Sequence, residues 1–118
     1  MSGLTTHVLD TALGQPANRV MIDVFRINDE VREYIRTVHT NADGRVDGGP
    51  ILQGENFRKG IYELVFHAGP YLRFHGHKLS DPPFLDIVPI RFGVTDPEAH
   101  YHVPLLISAF GYSTYRGS

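Results

Sequence analysis

Histidines are the residues of this chain best suited to chemistry, and two of them are nearly adjacent. The chain has seven, and His100 and His102 are separated by one residue. Because strand side chains alternate, both rings would project from one face of a strand. With an unperturbed pKa of about 6.5, either ring suits a general base near neutral pH. Together with His7 they could instead bind a metal. Spacing alone also allows two exposed histidines with no ligand.

Arginine and serine supply the other candidates. Arg45 follows an Asp-Gly turn at 43–44, where a solvated arginine is the simplest interpretation. A functional arginine there would neutralise an anionic substrate or a developing oxyanion. Ser108 and Ser118 would need an adjacent base to act as nucleophiles, and the chain has no Gly-x-Ser-x-Gly elbow. The glycines form no phosphate-binding loop, which argues against phosphoryl transfer.

Length and composition limit the classes of protein to consider. The 118 residues predict one domain, spanning 1–118. A formal net charge of −2 provides no broad basic surface for nucleic acid or membrane. The absence of cysteine excludes disulfides, thiolate metal sites and thiol nucleophiles. The N-terminal residues resemble no secretory signal, so we expect a cytoplasmic protein.

Short β-rich runs closed by turn residues recur along the chain and would position these side chains. We predict one short helix at 71–75, after Pro70, because proline suits a first helical turn. A hairpin is expected around Phe110 and Gly111. This spacing favours an all-β sandwich of seven or eight strands. The predicted strands cover residues 4–10, 20–27, 31–40, 45–47 (a short edge strand), 60–67, 84–94, 99–108 and 112–116.

Alternation along two of these strands separates a core face from a mixed face. In the first, Leu4, Thr6 and Val8 share one face, and Thr5, His7 and Leu9 share the other. In the strand at 99–108, the odd-numbered residues form an apolar face suited to the core. The opposite face suits the wall of a pocket or a subunit interface. It carries His100, His102, Pro104, Leu106 and Ser108.

The C-terminal segment 115–118 is the last feature. Chain ends are usually frayed, but here aromatic sequence continues to within four residues of the end. The composition therefore predicts a packed tail. Reasoning from the residues ends with a β-sandwich, a histidine-bearing face and a packed tail, and it does not specify a reaction.

Several motifs resemble those of the 5-hydroxyisourate hydrolases, a transthyretin-like family. The likeness runs the length of the chain, and the closing Tyr-Arg-Gly-Ser is its most specific part. Transthyretin, the hormone carrier of the same fold, lacks that ending. The motifs are LTTHVLD at 4–10, GQPA at 14–17, TNADGR at 40–45, HYHVPLL at 100–106 and YSTYRGS at 112–118.

The resemblance implies a fold, an assembly and a reaction. The fold is a transthyretin-like sandwich of two four-stranded sheets with one short helix. The assembly is a homotetramer, a dimer of dimers, whose active sites lie in the channel where the dimers face each other. The reaction is cofactor-free hydrolysis of 5-hydroxyisourate to 2-oxo-4-hydroxy-4-carboxy-5-ureidoimidazoline, downstream of urate oxidation. No metal, nucleic acid or membrane partner is implied.

The resemblance also implies a set of site residues. His7 or His102 would be the general base, and the other would orient the substrate or protonate the leaving nitrogen. Arg45 would hold the substrate and the oxyanion. Of the tail, Tyr115 would contact the ring of the substrate, and Arg116, Gly117 and Ser118 would complete the site.

Three alternatives remain open. A transthyretin-like carrier would bind a small aromatic ligand in the same channel without catalysis. An adhesion or structural sandwich would have no small-molecule site, and it predicts charged residues where His7 and His102 lie. Adventitious zinc binding by His7, His100 and His102 would more readily inhibit than assist, because a metal-bound imidazole cannot accept a proton.

Overall fold

A computed structural model describes residues 2–117. Within them the chain forms ten β-strands, one short α-helix and a single 3-10 turn at Gly54–Asn56. The elements are β1 (Gly3–Thr5), β2 (Val8–Asp10), β3 (Gln15–Pro16), β4 (Met21–Asn28), β5 (Val31–His39), β6 (Gly60–His67), α1 (Ala68–Phe74), β7 (Ile87–Val94), β8 (His100–His102), β9 (Leu105–Ser108) and β10 (Gly111–Thr114).

The strands form two four-stranded sheets and a small accessory pair. One sheet has the order β10-β9-β2-β3 and the other β5-β4-β6-β7. Strands β1 and β8 pair in parallel beside them. The predicted all-β sandwich of two four-stranded sheets with one short helix is therefore confirmed. Strand β3 was not predicted, and neither was the separate pairing of β1 with β8.

The core lies between the sheets and follows the predicted alternation. In the first segment Leu4, Thr6 and Val8 are all buried, whereas Thr5 and His7 remain partly exposed. The odd-numbered residues from 101 to 107 are buried in the same way. Tyr62 and Phe66 of β6 are the largest fully buried side chains. The core face was thus identified correctly from period-two patterning.

Two predicted strands are interrupted at the same level. The segment 4–10 divides at Thr6 and His7, and the segment 99–108 divides at Val103 and Pro104. The hydroxyl of Thr6 donates to the carbonyl of Val103 at 2.7 Å, where a backbone donor would otherwise bind. Pro104 has no N–H to contribute to the ladder. Pro104 is also buried, whereas His102 and Leu106 of the same predicted face are partly exposed.

Two other predicted boundaries and one predicted strand differ from the structure. The helix begins at Ala68 rather than at residue 71, with Pro70 in its first turn, where the missing N–H costs little. Strand β7 begins at Ile87 rather than at residue 84, because its partner β6 ends at His67, which pairs with Ile87. The segment 45–47 makes only one bridge, between Val46 and Thr40.

The predicted hairpin at the C-terminal end is confirmed. Strands β9 and β10 pair antiparallel, with Gly111 opposite Ser108 and Thr114 opposite Leu105. The strand ends at Thr114, two residues before the predicted end. Across residues 2–117, no helix is both long enough and apolar enough to span a membrane.

Candidate active site

The accessory pair of strands places a hydroxyl between two imidazoles. In the parallel pairing of β1 with β8, Thr5 lies opposite His102 and Gly3 opposite His100. Thr5 Oγ1 lies 2.8 Å from Nδ1 of His102 and 2.8 Å from Nε2 of His100. The two rings, with centroids 6.2 Å apart, are therefore both fixed by one side chain. Hydrogen bonds of this length restrict the rotation of both imidazoles.

A tight turn carries Arg45 to the same region. Asn41 Oδ1 accepts hydrogen bonds from the amides of Asp43 and Arg45, at 2.8 and 3.1 Å. Gly44 has a φ of 75°, which favours glycine. Its carbonyl accepts a 2.8 Å bond from the Val8 amide. A Cβ at Gly44 would lie 3.3 Å from Cδ2 of His7. The turn thus packs directly against His7 and the start of β2.

These residues surround a cavity of about 400 Å³. Arg45 lies on one side, His100 and His102 lie on another, and the segment from Gly49 to Ile51 closes a third. A cavity of this size is within the range that binds small molecules. His7 is not part of its wall in a single subunit. The wall consists of Thr5, Thr6, Arg45, Val46, Gly49, Pro50, Ile51, His100 and His102.

The surroundings of His102 favour its neutral form. Burial lowers its pKa below the ordinary value of 6.5, because a low-dielectric environment disfavours the charged ring. The positive charge of Arg45, and then His100 and His7, lower the pKa of His102 further. His102 is therefore neutral at physiological pH and has a lone pair available to accept a proton.

The tail packs against the strand that carries His102. The amide of Gly117 donates a 2.7 Å hydrogen bond to the His102 carbonyl. The Arg116 guanidinium lies 4.0 Å from the centroid of the Tyr101 ring, a cation–π contact. The packed tail expected from composition is present only in part, because Gly117 is held against β8 while the side chains of Tyr115 and Arg116 are exposed.

The other tail residues lie elsewhere. Tyr115 and Arg116 line a separate cavity of about 240 Å³, between β7 and β10, rather than the one beside Arg45. Tyr115 is 59% exposed. Ser118, also a predicted site residue, lies outside the described residues. A single subunit thus brings Arg45 and His102 to one cavity, His7 close to them and Tyr115 to a different one.

The described residues do not have the geometry that the metal-binding alternative requires. Within residues 2–117, no group of three or more histidine, aspartate or glutamate side chains is arranged to hold a metal ion. His7, His100 and His102 therefore do not converge on a common point. Thr5 occupies the ring nitrogens of His100 and His102 that face each other.

The site contains one residue that sequence reasoning did not select. Thr5 was placed on the same strand face as His7, but its role as the link between His100 and His102 was not predicted. Alternation along one strand specifies a face, whereas the partner strand is needed to identify the neighbours on that face. The parallel pairing of β1 with β8 supplies that information.

A family profile and a related sequence point to the same family. The sequence profile described as the HIUase/Transthyretin family matches residues 4–117. The chain is 64% identical over 115 residues to 5-hydroxyisourate hydrolase 2 of Rhizobium meliloti (strain 1021), covering 98% of this chain and 95% of that protein.

Solved structures share the architecture. An (S)-allantoin synthase structure superposes with a TM-score of 0.93 at 47% identity, covering 98% of this chain but only 43% of that one. Transthyretin of Sparus aurata superposes with a TM-score of 0.87 at 25% identity, covering 99% of this chain and 97% of that one. Proteins as different as an (S)-allantoin synthase and a transthyretin therefore share this sandwich, and only the site can distinguish between functions.

Proposed function

Because the chain belongs to the HIUase/Transthyretin family, we propose that it hydrolyses 5-hydroxyisourate to 2-oxo-4-hydroxy-4-carboxy-5-ureidoimidazoline in urate degradation. The observation that carries the proposal is the cavity shared by Arg45 and His102, in which the imidazole is neutral and the guanidinium is charged. Ring opening by water needs a base for the water and a cation for the oxyanion. The chain's own side chains provide both, so the proposal includes no cofactor.

Each polar residue of the cavity has a proposed role. His102 accepts a proton from the attacking water. Arg45 binds the anionic substrate and stabilises the negative charge that develops on the carbonyl oxygen. His7, held against the turn that carries Arg45, orients the substrate. Removing a positioned base of this kind typically costs about 10²–10⁴ in rate.

The proposal extends to the tail, residues 115–118. Gly117 binds the backbone of His102 and so couples the tail to the base. Tyr115 is exposed and lines a different cavity within its own subunit, so its contact with the substrate ring would form across a subunit interface. Arg116 positions the segment through its contact with Tyr101, and Ser118 completes the site.

We propose a homotetramer, a dimer of dimers, as the active assembly. Leu9 and Leu106 are paired in register on β2 and β9 and are only partly buried in one subunit. Within residues 2–117, the edge strands β7 and β10 each have one unpaired side, through which antiparallel pairing between subunits is possible. A Leu106→Arg variant should dissociate the tetramer in analytical ultracentrifugation. An unchanged tetramer would place the interface elsewhere.

The proposed setting is a single catalytic domain in the cytoplasm, acting on a small molecule without nucleic acid or membrane partners. Urate oxidation supplies the unstable substrate there, and the hydrolase removes it.

The test is a coupled assay. Urate oxidase generates fresh 5-hydroxyisourate, and the decay of its ultraviolet absorbance is followed with and without the protein. The substrate also decays unaided, so the excess rate is the result. We expect rapid excess decay. A folded protein that causes no excess decay but binds an aromatic ligand would support the carrier alternative. Neither decay nor binding would support the structural sandwich.

A further inference from the structure

The arrangement of Thr5 between two imidazoles has a consequence for the protons of the site. We infer that Thr5 and His100 form a proton relay behind His102, which sets the tautomer of His102 and moves charge away from it during turnover. The inference rests on the proposed function for its kinetic part. Its structural part concerns the free protein and is tested separately.

A count of hydrogens leaves two arrangements. The Thr5 hydroxyl has one hydrogen, yet its oxygen lies 2.8 Å from ring nitrogens of both His100 and His102. It therefore donates to one nitrogen and accepts from the other. Either Nδ1–H of His102 donates to Thr5, which donates to Nε2 of His100, or every bond runs in the opposite direction. The protonation of the two rings is thus coupled.

The proposed role of His102 as a base requires the first arrangement. Its Nδ1 is bound to Thr5, and its Cδ2 edge is covered by Gly117, where an added Cβ would lie 2.6 Å away. The remaining nitrogen, Nε2, has no hydrogen-bond partner within residues 2–117. Because no unpartnered side-chain nitrogen there is buried, Nε2 is accessible to solvent. Nε2 is therefore the nitrogen available to a water in the cavity. It accepts a proton only in the first arrangement, in which Nδ1 carries the hydrogen.

The relay conserves protons throughout the reaction. As water attacks the substrate carbonyl and the new C–O bond forms, Nε2 of His102 takes one proton from the water. Nδ1 passes its proton to Thr5 Oγ1, and Thr5 passes its own to Nε2 of His100. When the C–N bond breaks, Nε2 of His102 gives its proton to the leaving nitrogen while Nδ1 regains a proton from Thr5, so His102 never loses both hydrogens. In the same step His100 gives its extra proton to Thr5, which restores the starting state.

The charges around His102 make it unfavourable for this ring to hold a positive charge. Arg45, His100 and His7 all face His102, and burial and the charge of Arg45 disfavour a proton held there. Moving the charge through Thr5 places it on His100, which lies two residues before His102 on β8 and is still part of the cavity wall. His102 thereby acts as base and acid while remaining close to neutral.

Histidine nitrogen resonances test the structural part in the free protein. In a two-bond ¹⁵N–¹H spectrum at pH 7.5, we expect His102 with a protonated Nδ1 and an unprotonated Nε2. Thr5→Val removes the hydroxyl at nearly constant volume and should abolish that preference, whereas Thr5→Ser should keep it. Thr11→Val is the matched control, because the Thr11 hydroxyl donates only to the backbone carbonyl of Ile107. His102 protonated at Nε2 in the unmodified protein would overturn the inference.

Kinetics test the transfer itself. Thr5→Val and His100→Gln should each lower kcat by about tenfold, the usual scale for losing a hydrogen bond to a charged group, with little change in KM. Thr5→Ser should restore most of kcat. The dependence of rate on the deuterium fraction of the solvent should be curved in the parent and linear in Thr5→Val. Equal curvature in both would contradict the relay. Absence of activity in every protein, with the expected tautomer present, would refute the proposed function alone.

Discussion

The backbone amide of Gly117 and the carbonyl of His102 are joined by a hydrogen bond of 2.7 Å. This bond attaches the end of the chain to the strand that carries the proposed base. The contact is close enough that a Cβ at Gly117 would lie 2.6 Å from Cδ2 of the His102 ring and 3.3 Å from its Cβ. The requirement for glycine at this position therefore comes from packing against an imidazole.

Substitution of Gly117 tests this relationship. Gly117→Ala should lower kcat/KM by about tenfold or more, because the ring of His102 or the tail has to move and misplaced catalytic groups are costly. The midpoint of thermal unfolding should change little. Gly111→Ala is the control, since a Cβ there has only the Ser108 hydroxyl within 4 Å, at 3.9 Å. Equal activity in both variants would show that the tail does not position His102.

Substitution of Arg45 should change the titration of His102. In Arg45→Ala the pKa of His102 should rise towards its ordinary value, because one of the nearby positive charges is lost. Since His102 acts as a base when neutral, kcat/KM falls as the pH drops through that pKa, so the acidic limb of the profile should move to higher pH. Loss of the oxyanion contact should also lower kcat by about 10²–10³.

Two further variants separate the effect of the Arg45 charge on His102 from its role in binding the anion. Arg45→Lys keeps the charge, so the pKa of His102 should stay low, while kcat/KM falls because lysine cannot bind an anion with two parallel donors. Arg73→Ala removes a cation from α1, outside the cavity wall, and should affect neither quantity. An NMR titration that finds the same His102 pKa in Arg45→Ala as in the parent would show that the charge of Arg45 does not influence the titration of His102.

A buried carboxylate outside the cavity should control acid stability. Asp10 is fully buried and accepts bonds from Tyr71 at 2.7 Å and His77 at 2.8 Å, as well as from the amides of Ala12 and Leu13. Burial alone would raise the pKa of Asp10, but the hydrogen bonds from Tyr71, the Leu13 amide and His77 together hold it below its ordinary value of 3.8. The folded protein therefore binds this proton less readily than the unfolded chain does.

The sign of the pH effect follows from that comparison. The carboxylate stabilises the fold at pH values above 3.8, and this contribution is lost as the pH falls below 3.8 through the folded pKa. Asp10→Asn should reduce the free energy of unfolding at pH 7 by about 3–5 kcal/mol, the usual cost of breaking a buried pair. The deficit should shrink at pH 3. Urea denaturation at both pH values measures it, with the exposed Asp29→Asn as control. A deficit below about 1 kcal/mol at pH 7 would contradict the account.

Much of the fold was predictable because its signals are local. The alternation of Leu4, Thr6 and Val8 identified the core face, and Gly111 marked the turn of the hairpin. Strand breaks were not predictable in the same way. The interruption at Thr6 depends on its hydroxyl binding Val103, a residue 97 positions away in sequence.

The site was predictable to a smaller extent. His102 and Arg45 were selected from motifs, and the structure places both around one cavity. The part played by Thr5 required knowledge of which strands are neighbours, because β1 meets β8 across almost the full length of the chain. The same lack of pairing information concealed Asp10, whose partners Tyr71 and His77 are distant in sequence.

The most direct test of the central claim is kcat/KM on freshly generated 5-hydroxyisourate for His102→Asn beside His39→Asn. His39 is exposed at the end of β5 and lies outside the wall of the cavity. If His102 is the base, its variant should lose about 10² or more in kcat/KM, whereas His39→Asn should match the parent. A folded His102→Asn protein with the full rate of the parent would contradict the assignment of this cavity as the active site.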